Sequence, residues 1–307
     1  MKPTTVKLCK ERSGKATFQG FWHGAALGPL RLACLRSFLE HGYEVKIYTY
    51  VDQHLPDGIV RRDANDIIPI EEVFYYDNPH SGLQDLGPFS DLFRFKLLSE
   101  RGGWWIDVDT ICLSPDIPSV GRAWAQQLPE VNPAAIGTGQ IAFAKGDPIV
   151  VELYETCLAL SITDYQPREA LGPHLLSRVV SEHDLSKNEF GSPDSFYPIR
   201  FIEMYKLWLP EFADEVRRRT AGAYFLPIFQ SFPQYIGLEF SRYPPAGSIL
   251  GDLCERDTNA ELDRHSADTI RAATRKFFAK HAAWALDELN AVAGRNGDEL
   301  LTLETLF

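Results

Sequence analysis

An apolar run, Trp104-Trp105-Ile106, is closed by two carboxylates one residue apart, Asp107 and Asp109. On a strand, residues i and i+2 point to the same face, which sets the two acids side by side, roughly 6–7 Å apart. Two acidic oxygens at a strand end make a half-site for a hard divalent cation, which prefers oxygen ligands. A cation held there grips a diphosphate, so chemistry on a nucleotide-linked substrate is the expectation. Just upstream, Asp91 and Arg94 stand three apart in a helical pattern and share a face. Phe89, Leu92, Phe93 and Leu97 supply the apolar side of that helix, and Gly102-Gly103 suits its C-cap and the turn into the strand. Asp91 and Arg94 are thereby placed to face the same cavity as the two acids. An isolated Asp-x-Asp is common in solvated loops, as Asp–Arg pairs are on helix surfaces. The weight lies on the assembly of helix, Gly-Gly break, apolar strand and paired acids.

The elements that must position these groups read as an α/β layer. A first strand over 16–22 closes at His23-Gly24, and a helix over 29–40 follows with Leu30, Cys34, Leu35, Phe38 and Leu39 at helical spacing. Pro29 suits its first turn and Gly42 marks its stop. Residues 44–51 alternate as a strand, 59–62 form a short strand, 71–75 a brief helix, and 77–88 a turn-rich stretch. Beyond Asp109 the pattern predicts loops at Pro115 and Pro118, a strand over 140–144, and helices over 148–160 and 167–182. Residues 191–245, rich in aromatics and prolines, read as loops and short strands. Residues 267–292 read as one amphipathic helix through Ile270, Phe277, Phe278, Trp284, Leu286 and Leu289. Strand-helix-strand at this spacing predicts a Rossmann-like sheet. No internal repeat is present, so the organisation expected is one α/β domain over 1–255 with a C-terminal helical extension, 256–307, packed on it.

Composition narrows the partners. A net charge of −11 over 307 residues argues against a nucleic-acid partner, because phosphate backbones are bound by positive surface. Cys9, Cys34, Cys112, Cys157 and Cys254 are scattered, odd in number and never in a Cys-x-x-Cys pair, which favours a reducing, cytoplasmic setting over a disulfide framework. The eight histidines form no metal-spaced cluster. No apolar run between Met1 and Gly20 offers a signal peptide, and no stretch is long enough to span a membrane. Arg271, Arg275, Lys276 and Lys280 cluster beside aromatics, a face suited to peripheral contact with the inner side of an anionic membrane, although such a helix more often packs on its own domain.

The stretch from Ser90-Asp91-Leu92-Phe93-Arg94 to Gly102-Gly103-Trp104-Trp105-Ile106-Asp107-Val108-Asp109 resembles the signature of the DXD-motif sugar-binding glycosyltransferases. These include glycosyltransferase family 32 and its bacterial capsular-polysaccharide-synthesis-like relatives. The match is close over about twenty residues, with weaker echoes from Phe21-Trp22-His23-Gly24 to Pro244-Pro245-Ala246-Gly247-Ser248. The resemblance implies a GT-A fold, a nucleotide-sugar donor (UDP-linked by family habit), a Mn²⁺ or Mg²⁺ ion, and transfer with retention to a glycan, lipid-linked or protein acceptor. It assigns Asp109 to the metal, Asp107 to the ribose and the metal, and Asp91 and Arg94 to hydroxyls of the donor sugar. Trp22 and His23 are implied beside the nucleobase, and Gly247-Ser248 near the diphosphate.

The pattern departs from the family in two places. Where many relatives carry a His-Leu-Trp-Asn-like stretch whose histidine completes the metal shell, this chain has Pro227-Ile228-Phe229-Gln230. Gly139 and Gln140 stand where relatives often place an Asn near the sugar, whereas Gly172-Pro173 matches a family turn on the acceptor side. Two other functions are open from the residues. One is a nucleotide-sugar-binding protein that has lost turnover, with Pro227 as its support. The other is a haloacid-dehalogenase-type phosphatase built on Asp107-Val108-Asp109-Thr110 with Gly251-Asp252 and Asp257, although Ile111 sits where its threonine belongs.

Overall fold

Alternating apolar residues in the first half of the chain assemble one mixed sheet. The computed structural model describes residues 16–77, 84–130, 132, 134–161, 169–183, 185, 191–229, 231–238, 242–255 and 263–296. Strand β1 (Thr17–Phe21) leads into helix α1 (Gly28–Glu40), then β2 (Glu44–Thr49) and β3 (Val60–Asp63). Two-residue strands β4 (Tyr76–Asp77) and β5 (Gln84–Asp85) pair as a ribbon before α2 (Gly87–Arg101) and β6 (Gly103–Ile106). There follow β7 (Thr110–Cys112), β8 (Arg122–Ala123), β9 (Gln140–Phe143), α3 (Pro148–Ser161) and α4 (Pro173–Glu182). The remainder comprises α5 (Pro193–Phe196), α6 (Tyr205–Trp208), α7 (Ala213–Thr220), β10 (Phe225–Pro227), α8 (Phe232–Tyr235), α9 (Ile249–Glu255), α10 (Ala267–Lys280) and α11 (Ala282–Asn296).

The main sheet runs β3-β2-β1-β6-β9-β8. Its first four strands are parallel, and β9 runs against both neighbours. The α/β class expected from the spacing is therefore the observed one. From β1 the chain crosses to β2 on one side, whereas β6 lies on the other side of β1. That reversal opens a crevice beyond the carboxyl ends of β1 and β6, where open α/β sheets bind ligands.

Both faces of the sheet are covered, which is why its central strands read as nearly continuous apolar runs. On one face Phe18, Trp104 and Ile106 pack with Leu35 and Phe38 of α1. On the other, Phe21 and Trp105 pack with Phe89 and Phe93 of α2 and with Leu153 of α3. The opposite side of α1, at Leu30, Ala33 and Cys34, joins α6, α9, α10 and α11 in a third cluster that includes Ile270, Phe278 and Leu289. The C-terminal helices thus bury their apolar stripe against the domain.

Several elements differ from the expected ones. The helix expected over 71–75 is a single 3₁₀ turn, Ile70–Glu72. The helix expected over 267–292 is two, broken at His281, whose ring packs on Phe277 at a centroid distance of 4.9 Å. Of the region expected helical over 167–182, the helix begins at Pro173, and 162–168 lie outside the described residues. Arg271 is not free for a membrane, since its guanidinium is engaged by Glu211 and Asp268 at 2.7 and 2.5 Å. Among the described residues no helix is long and apolar enough to cross a membrane. Cys34, Cys112, Cys157 and Cys254 are free, buried thiols, and burial raises the pKa of each, Cys254 to about 11.

The junction that aims the site is Gly102. It caps α2 at φ 68°, a left-handed conformation that glycine adopts without penalty. Its carbonyl accepts from Gln19 Nε2 at 2.8 Å, and a Cβ there would lie 2.5 Å from Lys145 N. Gly102→Ala is expected to cost about 2–3 kcal/mol through strain and collision together, read as a lower urea midpoint with an unchanged m-value.

Candidate active site

The crevice beyond β1 and β6 holds a cleft of two adjoining lobes, about 400 and 410 Å³ in volume. Trp22, His23, Asp91 and Arg94 line the first lobe. Gln140, Tyr197, Pro227 and Phe229 line the second. Arg31, Asp85, Asp107, Asp109, Thr138 and Pro173 line both. A cavity of about 640 Å³ sits at the opposite end of the strands, beside Thr17, Lys46, Arg101 and Gly103. It holds none of the expected site residues.

Arg94 organises the first lobe. The helix spacing of α2 brings it to Asp91 at 3.4 Å, both side chains almost fully buried. The same guanidinium reaches Asp107 Oδ1 at 3.3 Å and donates to the Thr138 carbonyl at 2.7 Å. It also lies over the Trp105 ring, 4.8 Å from the centroid. Trp105 Nε1 donates to the same Asp107 oxygen at 2.9 Å. One cation thus ties α2, the end of β6 and the segment preceding β9 into a single polar unit. Buried charges of this kind persist only when paired and hydrogen-bonded.

Glycines make room for both acids. A Cβ on Gly172 would lie 2.3–2.6 Å from the Asp91 carboxylate, and one on Gly139 would meet Asp107 Oδ2 at 2.9 Å. The asparagine that the resemblance implied near Gly139 is absent, and the Asp107 carboxylate lies against that position instead. Gly172-Pro173 sits at the N-terminus of α4 against Asp91, and Pro173 lines the cleft.

Asp107 and Asp109 do share the cleft, but not by strand alternation. Strand β6 stops at Ile106, and Thr110 N–H bonds back to the Asp107 carbonyl at 3.1 Å, closing a turn. The Asp107 N–H is taken by the Gly139 carbonyl at 2.8 Å, and the Asp109 carbonyl accepts the Ile228 N–H at 2.9 Å. Strand β10 pairs antiparallel with β7, placing Pro227 opposite Thr110 and against the second lobe. Phe229 follows with φ 41°, an uncommon value for a bulky side chain. Gln140 donates to Thr110 Oγ1 at 2.6 Å, and its own oxygen is buried without a partner among the described residues.

The donors suit a divalent ion only in part. Among the described residues no group of three or more His, Cys, Asp or Glu stands together as a metal site. Pro227 supplies no side-chain ligand, and Gln230, the nearby alternative, lies outside the described residues. Asp107 and Asp109 remain two hard oxygen donors in an acidic cleft, a set that fits Mg²⁺ or Mn²⁺ where substrate phosphates and water complete the shell.

Trp22 and His23 follow the end of β1, each half-buried, as their expected place at the crevice requires. Trp22 Nε1 donates to the Ala25 carbonyl at 2.8 Å, leaving the indole face to Arg31. His23 Nδ1 is buried without a partner among the described residues. Arg31, like Asp85, Thr138 and Glu169, lines the cleft without being singled out by the sequence. It stands in the first turns of α1, which the sequence marks only by an apolar period, and the fold brings it into the cleft near the Asp109 charge.

Gly247 and Ser248, expected near the diphosphate, line neither lobe. Ser248 is fully buried, donating to the Pro245 carbonyl at 2.7 Å and accepting the Gly251 N–H at 3.0 Å. Its hydroxyl therefore organises the start of α9 and has no donor left for a ligand. Asp257 lies outside the described residues.

Among solved structures the chain is similar to the PaToxG glycosyltransferase, with a TM-score of 0.43 and 14% identity, over 57% of this chain and 73% of that one. No family model matches the sequence, and no curated protein matches it.

Arg94→Met keeps the bulk of the side chain and removes its charge, leaving Asp91 buried beside no cation from α2. The expected loss is about 3–5 kcal/mol in urea denaturation. The double variant Arg94→Met, Asp91→Leu is expected to recover a large part of it, because the buried carboxylate that Arg94 paired with is gone as well. A single-variant cost below about 1 kcal/mol would mean the pair is worth no more than an exposed bridge.

Proposed function

We propose that the chain is a glycosyltransferase that moves a hexosyl group from a nucleotide sugar, UDP-linked, to a glycan, lipid-linked or protein acceptor with retention at the anomeric carbon. The observation that carries the reading is the buried Arg94, shared between Asp91 and Asp107 at the mouth of the β1–β6 crevice. Such a unit presents fixed donors and acceptors at the place where an α/β sheet takes its ligand. Fixed polar groups of this kind suit sugar hydroxyls, which need orientation more than covalent help.

Each side chain then has a task. Asp91 and Arg94 hold hydroxyls of the donor sugar, with the Thr138 segment kept in register by the Arg94 bond to its carbonyl. Trp22, whose ring carries Arg31 on one face, flanks the base, and the buried Nδ1 of His23 offers it a hydrogen bond. Asp107 takes the ribose with its outer edge, its Oδ1 being held by Arg94 and Trp105. When bound through Asp109 and Asp107, Mn²⁺ or Mg²⁺ supplies Lewis-acid stabilisation of the charge that gathers on the departing nucleoside diphosphate. Retention follows if the acceptor approaches from the leaving-group side, the departing phosphate taking its proton. No protein base is assigned.

A second reading has one observation in its favour. Pro227 stands in the cleft beside the acid turn where a third ligand would act, so the chain would bind a nucleotide sugar without turning it over. Incubation with a panel of nucleotide sugars and Mn²⁺ separates the two. Slow release of free sugar is expected from one donor, with Asp109→Asn lowering the rate about a hundredfold or more. Donor binding in calorimetry with no sugar ever released selects the binding-only reading.

Pro227→His places an imidazole beside the acid turn. Its Mn²⁺ affinity in the presence of nucleoside diphosphate is expected to rise about tenfold, equivalent to about 1.4 kcal/mol, measured by competition with a fluorescent chelator. An unchanged affinity would mean that the side chain at 227 does not reach the ion.

A further inference from the structure

The proposed chemistry brings a diphosphate into a cleft that is acidic on balance. Its first lobe is lined by Asp85, Asp91, Asp107, Asp109 and Glu169, against the guanidinium groups of Arg31 and Arg94. Arg94 is committed to Asp91, Asp107 and the Thr138 carbonyl. Arg31 is differently placed. It belongs to the opening turns of α1, lines both lobes, and lies with its Cζ 4.3 Å from the centroid of the Trp22 ring. One of its five N–H donors goes to the Leu27 carbonyl at 3.2 Å. The stack and that bond hold the planar fork in place before any ligand arrives, and such a fork matches phosphate oxygens two at a time.

Resting on the reading above, we propose that Arg31 is a binding residue for the donor's diphosphate, supplying positive charge in a cleft where acids outnumber bases. The grip on the anion is then shared between a resident guanidinium and any divalent ion, and persists when the ion is removed. Burial lowers the Arg31 pKa and the neighbouring Asp109 charge raises it again. A guanidinium stays protonated throughout, so the practical consequence is a poorly hydrated cation facing Asp109 across the shared part of the cleft. An arriving phosphate gives it a second anionic partner at little desolvation cost.

The test uses the full chain and three probes, inorganic pyrophosphate, UDP and uridine, titrated calorimetrically in EDTA and again with Mn²⁺. The wild-type chain is expected to bind pyrophosphate and UDP in EDTA. Arg31→Gln is expected to lower both affinities about ten- to a hundredfold, as loss of a charged hydrogen bond does, and to leave uridine unchanged. Arg31→Lys, which keeps the charge but not the fork, is expected to fall between them. Far-UV circular dichroism and thermal melts confirm that each variant is folded. The inference is overturned if wild-type chain binds neither phosphate probe without Mn²⁺. It is equally overturned if folded Arg31→Gln binds UDP as wild type does, which leaves Arg31 a structural partner of Asp109 and the transferase reading intact. Conversely, pyrophosphate binding that depends on Arg31, together with no binding of any nucleotide sugar, keeps the anion site and removes the transferase reading.

Discussion

The buried guanidinium of Arg94 is the constraint on which the cleft depends. Its charge is satisfied by a carboxylate from its own helix, a carboxylate from the end of β6 and a carbonyl from the segment before β9. Removing a charge of this kind from water costs several kcal/mol, recovered only when each donor has a partner in good geometry. The three segments therefore cannot drift apart without exposing an unpaired ion in an apolar surround. Rigidity at the crevice is in this sense a by-product of electrostatics, with Phe89, Phe93 and Trp105 excluding the water that would weaken it.

The parts of this arrangement that sequence reasoning reached are those whose geometry is local. Asp91 and Arg94 meet because three residues along a helix is nearly one turn, and Gly102-Gly103 ends that helix because glycine alone tolerates the reversal. The strands β1, β2 and β6 and helix α1 followed from periodicity within a residue or three. The paired acids show a subtler outcome. Strand alternation placed Asp107 and Asp109 on one side, and they do line one cleft, yet the chain achieves it with a turn whose hydrogen bond runs from Thr110 to Asp107. A period-two argument cannot see where a strand loses its neighbour. Strand β6 pairs with β1 only as far as Trp105 and with β9 only as far as Ile106, and the turn begins directly after.

What was not legible depended on contacts between distant segments. Arg31 lies far from Asp109 in sequence, and nothing in its own helix distinguishes it from a solvated arginine. Gly139 and Gly172 look like ordinary loop glycines until the carboxylates of Asp107 and Asp91 are found where their side chains would be. Ser248 misled in the opposite sense. A Pro-Pro-Ala-Gly-Ser turn suggests an anion loop, but the hydroxyl is consumed by Pro245 and Gly251 in starting a helix. The break at His281 has no glycine or proline to announce it, and the apolar spacing from Thr274 through Phe278 to Ala285 continues across it.

The charge balance of the cleft links these observations to chemistry. Acids outnumber the bases that line it, which would repel a nucleoside diphosphate at close range. An anionic ligand can be held there only if its charge is met by cations already inside or brought with it. Asp107 and Asp109 are suited to attract a cation and poorly suited to hold one alone, since Pro227 contributes no ligand and Asp107 shares an oxygen with Arg94 and Trp105. Such a site favours ion and anion arriving together over either one singly. Arg31, stacked on Trp22 and beside Asp109, is the resident cation proposed to meet part of the anion's charge before any ion is bound. The same acids that look hostile to a phosphate thus leave its binding dependent on the cations that meet its charge.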